Sequence, residues 1–249
     1  MRKLLVVPAV SIIAQLAPLG SVAAATRCFD ADNPLTRRTM RGNLDGDGLP
    51  DRVWVGARRR DGGCRYFVFA RSTRFGPSRV RVPTPDRFSR SSMRIAGRPV
   101  ALVRIDDVPG QEIAARLLAG ASVQPFGFFT MRFGSLTRMP IDDTAPRPLA
   151  GRDMFAFGGG LSLMFATDCA FARAPRTVVY SQAFPEGNGP RYVVVRRWYQ
   201  VRGASFVRTG DPTERSLVRI GRLRTRFREF RNDGLLPHCE GKVRDPRRA

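Results

Sequence analysis

Apolar residues fall mostly in short runs with a period of two, separated by clusters of Gly, Pro, Asp and Asn, and this pattern predicts strands. Residues 53–57 and 64–70 read as a hairpin around Asp61-Gly62-Gly63, and 79–82 alternates as a third strand with one wet face, closed by Pro83 and Pro85. A strand over 99–107 follows. Residues 112–119 carry helix propensity, but alignment with the preceding strands places a strand there. Phe133-Gly134-Ser135 predicts a hairpin turn between 126–132 and 136–139, and 141–152, with Pro146, Pro148 and two adjacent aspartates, a connecting loop. Beyond it, Gly158-Gly159-Gly160 reads as a turn before a strand over 161–166. Strands at 177–183 and 192–201 and a tight hairpin over 201–206 complete the β-rich part.

The tail has a different period. Asp211-Pro212-Thr213-Glu214 has the form of a helix start, and Leu217, Ile220, Leu223, Phe227 and Phe230 recur at three- and four-residue steps. Arg215, Arg219, Arg222, Arg224, Arg226, Arg228 and Arg231 fall mostly off that stripe. Either the stripe packs on a sheet and the arginines are solvated, or the segment is a basic amphipathic helix for an anionic surface.

The N-terminus changes the picture of where the chain works. Arg2 and Lys3 precede a mostly apolar run over 4–19, and Ala23-Ala24-Ala25 offers small residues for cleavage before Thr26. Residues 1–25 therefore read as a signal peptide and 26–249 as one secreted, extracellular domain; no segment approaches membrane-spanning length. Cys28, Cys64, Cys169 and Cys239 remain, an even count that suits two disulfides in an oxidising compartment. Pairing of near neighbours, Cys28–Cys64 and Cys169–Cys239, is the expected one of three connectivities.

The net charge is +22, falling to +20 after cleavage, and of 43 basic residues only Lys3 and Lys242 are lysines. Such a field attracts polyanions such as wall polymers or anionic lipid. The arginines are spread along the whole chain, as GC-rich coding would also leave them, and no specific nucleic-acid site is expected.

Catalytic signals are few. His238 is the one histidine, so histidine-based hydrolysis would rest on it alone. The three-glycine run lacks the Lys-Ser/Thr of a phosphate loop. Asp106-Asp107 and Asp142-Asp143 are adjacent, and neighbours on a strand point to opposite faces. No catalytic residue is assigned, and no enzyme activity is expected.

The most specific stretch is Asn43-Leu44-Asp45-Gly46-Asp47-Gly48-Leu49-Pro50-Asp51. Asn43, Asp45, Asp47 and Asp51 supply side-chain oxygens at positions one, three, five and nine, Leu49 a carbonyl, and Gly48 the turn, a spacing that suits a hard cation such as Ca2+. An EF-hand would place Glu at position twelve before a helix; Trp54 stands there, in a strand-like run. The loop thus resembles the FG-GAP/VCBS repeat family, in which such a loop precedes a strand of a propeller-like blade. The resemblance implies one calcium site at Asn43, Asp45, Asp47, Leu49 and Asp51, and an extracellular role in adhesion or recognition with a wall polymer or another protein as partner. Asp45 and Asp106 are sixty-one residues apart, as are Asp51 and Glu112, which predicts a repeat of about that length. In the second loop Arg104 and Val108 stand where Asn43 and Asp47 stood, and no ion is expected there. A third copy would set Thr167-Asp168-Cys169 in the loop position. The expected fold is mainly β: antiparallel blade-like sheets in about three degenerate repeats near 39–98, 99–152 and 153–210, with a short C-terminal helix in the tail 211–249.

Overall fold

The computed structural model describes residues 39–60, 63–82, 99–116, 122–142, 154–170, 177–209, 214–231, 236 and 238–243. The chain is mainly antiparallel β. Strands β1 (Met40–Gly42), β2 (Asp51–Arg60), β3 (Gly63–Ser72) and β4 (Gly76–Arg81) pair in chain order as one sheet. Along β4 exposure alternates residue by residue, with Pro77, Arg79 and Arg81 outward, as its sequence period requires.

Strands β5 (Pro99–Arg104), β6 (Glu112–Arg116), β7 (Val123–Arg132) and β8 (Ser135–Arg138) repeat that order. Long β7 is shared. One of its edges pairs with β6; along the other, β8 takes Phe129 to Arg132 and β10 (Phe155–Gly160) takes Val123 to Phe126. Through that junction the sheet continues into β11 (Leu163–Ala170), β12 (Thr177–Pro185), β13 (Arg191–Arg202) and β14 (Ser205–Arg208). Short β9 (Ile141–Asp142) lies parallel to β14, β15 (Glu214–Arg219) adds to β13, and β16 (Glu240–Val243) edges β5. Helix α1 (Ile220–Arg226) and a 3-10 turn at Arg228–Phe230 follow β15.

The β5–β7 strands form a middle layer buried on both faces. Leu102, Ile113, Ala115, Phe129 and Met131 pack against Met40, Leu44, Val53, Val68 and Ala70 of the first sheet. Their strand neighbours Ala101, Val103, Ala114 and Phe128 face the other way, into an aromatic core with Phe155, Phe165, Tyr180, Tyr199 and Phe206. This two-sided burial explains why Ile113-Ala114-Ala115 is apolar at every position and resembles a helix segment by composition. A third cluster seats Leu223, Phe227 and Phe230 on Ala183, Tyr192 and Val194.

Three expectations are corrected. The glycines at 158–160 lie within β10, and the turn is at Leu161 and Ser162. Thr167, Asp168 and Cys169 lie within β11 opposite Val178 to Tyr180, so they form no loop, and β10–β14 continue the second sheet instead of standing apart as a third unit. The expected short helix is present in the tail but begins at Ile220 and not at the Asp211-Pro212-Thr213-Glu214 start, because Glu214–Arg219 pairs with the free edge of β13. There Val218 is buried while Leu217, on the stripe, is 42% exposed: period two prevails where a sheet edge is open. Asp211 to Thr213 and the signal segment 1–25 lie outside the described residues.

Cys169 and Cys239 are disulfide-bonded with Cα atoms 4.9 Å apart, as expected from near-neighbour pairing. For the other expected pair, Cys64 lies in β3 opposite Arg59, and Cys28 lies outside the described residues.

Candidate functional site

The loop 43–51 joins β1 to β2, and pairing of Gly42 with Asp51 holds its two ends together. Short polar side chains shape it from inside. Asn43 Oδ1 accepts the Gly46 N–H (2.8 Å), Asp45 Oδ1 the Asp47 N–H (3.2 Å), and Asp47 Oδ1 the Leu49 N–H (2.7 Å). Each is a local turn that such residues form against their own backbone. Gly46 and Gly48 take φ of 82° and 87°, which residues with a Cβ seldom adopt.

Asp51 anchors the loop. Only 1% exposed, it accepts the Leu44 N–H (2.8 Å) and the Thr73 N–H (2.9 Å), tying the loop to the β3–β4 turn. Ser72 Oγ donates to Asp45 Oδ2 at 2.5 Å. Burial pushes the Asp51 carboxyl above its ordinary range, and the charges of Asp45 and Asp47 push it the same way against the two N–H donors. For Asp45, burial raises the pKa but is outweighed by the bonds from the Ser72 hydroxyl and the Asp47 N–H, which hold it below the usual range. The five sequence-predicted positions thus lie on one loop, with Asp45 and Asp47 close enough to Asp51 to disfavour its ionisation.

The loop 104–112 between β5 and β6 repeats two of these internal bonds sixty-one residues on. Glu112 accepts the Ile105 N–H (3.1 Å) where Asp51 accepts that of Leu44, and Asp106 accepts the Val108 N–H (3.0 Å) where Asp45 accepts that of Asp47. The two loops touch: the Asn43 N–H donates to Gln111 Oε1 (2.9 Å), and a Cβ on Gly110 would come within 2.6 Å of the Leu44 carbonyl oxygen. What differs is the cation. The Arg132 guanidinium hydrogen-bonds Asp106 and lies 3.6 Å from Glu112. Its counterpart sixty-one residues earlier, Arg71, is exposed. Sequence reasoning missed Arg132, since arginine stands at both places.

Among the described residues no three His, Cys, Asp or Glu side chains converge as a metal cluster, so a cation would rely also on Asn43 and the Leu49 carbonyl. A carboxylate has about four acceptor positions, and each hydrogen bond above occupies one. The oxygen donor set is of the hard type that calcium takes.

The seven tail arginines are placed on one segment: Arg215 and Arg219 on β15, Arg222, Arg224 and Arg226 on α1, and Arg228 and Arg231 around the 3-10 turn. All are exposed. Beneath them a cavity of about 290 Å3 is lined by Phe157, Met164, Phe165, Leu223 and Phe230. Buried Glu229 beside it accepts from Ser181 Oγ (2.7 Å) and pairs with Arg196 (2.9 Å).

His238 is half-buried, its ring and N–H both bonded to buried Asp168, one residue from the disulfide. Burial raises the Asp168 carboxyl pKa, and the bonds from His238 oppose that rise. Asp168 with Cys169 thus grips His238 with Cys239, a structural tether that the sequence showed only in its cysteines.

Compared with protein-family models, with curated proteins and with solved structures, the chain matches none.

Proposed function

We propose that the protein is a secreted, calcium-stabilised extracellular module of FG-GAP/VCBS-like type that binds or supports a partner and carries out no catalysis. The observation behind this reading is the contrast between two loops of one hydrogen-bonding plan. The second holds a guanidinium against its acids; the first adds Asn43 and Asp47 and turns Arg71 to solvent. A calcium ion held by Asn43, Asp45, Asp47, Leu49 and Asp51 would supply there the positive charge that Arg132 supplies in the second loop. It would fix the start of β2 and the contact between the two loops.

A thermal unfolding scan with calcium and with chelator tests the ion. Ligand that binds the native state alone stabilises by about 2.7 kcal/mol at a hundredfold excess over Kd. Calcium should raise the wild-type Tm and leave Asp47→Ala unmoved; no shift in the wild type removes the calcium reading.

A second reading rests on the seven exposed arginines, which present a basic strip to an anionic wall polymer. Binding to such a polymer should fall steeply as salt is raised.

A further inference from the structure

Seven large apolar side chains are exposed among the described residues, and four of them, Leu49, Phe75, Val108 and Phe133, belong to one end of the first two four-stranded units. The β3–β4 and β7–β8 hairpins meet there: a Cβ on Gly134 would come within 2.9 Å of the Phe75 side chain, and the Leu136 N–H donates to Ser78 Oγ at 2.9 Å. The loop bearing Leu49 reaches the same end through the bond of Asp51 to Thr73, and that bearing Val108 through the bond of Asp106 to Arg132.

Phe133 is the least expected residue of the four. The β7–β8 turn is Phe133-Gly134 between paired Arg132 and Ser135, with φ of 49° and 76°. A two-residue turn of this hand takes Asn or Asp before Gly, and a bulky side chain in the left-handed region is an outlier. Phe133 is 98% exposed, so no burial among the described residues offsets the strain. Strain kept at a solvent-facing aromatic points to a contact outside the molecule.

We propose that this end is a membrane-contacting tip that inserts Phe133, with Phe75 beside it, into the headgroup layer of an anionic bilayer. The apolar groups sit on turns and loop tips that project outward, a form suited to a deformable lipid layer. The charge is complementary: Arg74, in the same turn as Phe75, and Arg71, at the end of β3, are exposed, the Arg74 guanidinium lies 4.9 Å from the Phe75 ring centre, and the chain after cleavage is +20. Asp45, Asp47 and Asp107 also face this end and oppose anionic lipid. Insertion by the phenylalanines does not depend on the calcium reading.

Co-sedimentation with phosphatidylcholine vesicles, with and without phosphatidylglycerol, tests the tip, each in calcium and in chelator. Wild type should pellet with the phosphatidylglycerol vesicles in both. The variant Phe75→Ser/Phe133→Ser, altered only at exposed positions, should bind at least tenfold more weakly while keeping its wild-type calcium response in thermal unfolding. In Phe133→Trp the added fluorescence should shift to the blue on the same vesicles. Equal binding of the double serine variant would assign attachment to the arginines and overturn the tip. So would vesicle binding absent from the wild type, or a wild-type dimer that the double serine variant makes monomeric without vesicle binding.

Discussion

Glu112 is 1% exposed at the end of the second loop. Loss of water, with the Asp106 charge beside it, pushes its pKa up from 4.5 to about 8, against the opposing pull of the Ile105 N–H and Arg132. The unfolded chain gives up this proton at lower pH than the folded one does. The group's stabilisation is therefore complete below about pH 4.5 and lost as pH rises through about 8. Glu112→Gln keeps the acceptor for Ile105 and removes the titration. Urea unfolding in chelator at pH 5 and pH 9 should show the wild type losing stability at the higher pH. The variant should lose less, by an amount on the order of a few kcal/mol. At this scale the sequence was legible in the backbone: Gly48, read as the residue of the sharp turn, takes φ of 87°. It was silent on Arg132, because Arg71 stands at the matching position and only packing decides which guanidinium turns inward.

Among elements, β2, β3 and β4 were legible because strand-like runs and Gly or Asp turns agree there, whereas Ile113-Ala114-Ala115 of β6, buried at every position, was placed only by the sixty-one-residue alignment. The tail was not, because Leu217 falls on a helical stripe while the adjacent Val218 is the residue that pairing as a strand buries. The open edge of β13 decides between them, and a sheet edge far along the chain is invisible to a local pattern. What remains helical is short and includes Gly221, exposed with nothing within 4 Å of an added Cβ. Gly221→Ala should therefore raise stability by up to about 1 kcal/mol, read from the urea midpoint. The Cys169–Cys239 bridge closes a separation of 70 residues. A Cys169→Ser/Cys239→Ser variant should lose on the order of 4 kcal/mol, and amide exchange should quicken first in β16, which reaches β5 just after Cys239.

At the scale of the molecule, the β5–β7 layer joins the first sheet to the rest, and the two loops meet where those layers join. Mainly β architecture could be read from the chain; the continuous run of β7 into β10 could not, since it depends on Val123 to Phe126 finding a partner beyond β8. The paired loops also make a quantitative claim. If a calcium ion in the first loop takes the place that Arg132 takes in the second, the chain holds one ion and not two. Calorimetric titration of calcium into the chelator-treated protein is the direct test. The account predicts one ion per chain, lost in Asp47→Ala. No binding, two ions per chain, or one ion that survives in Asp47→Ala would contradict it.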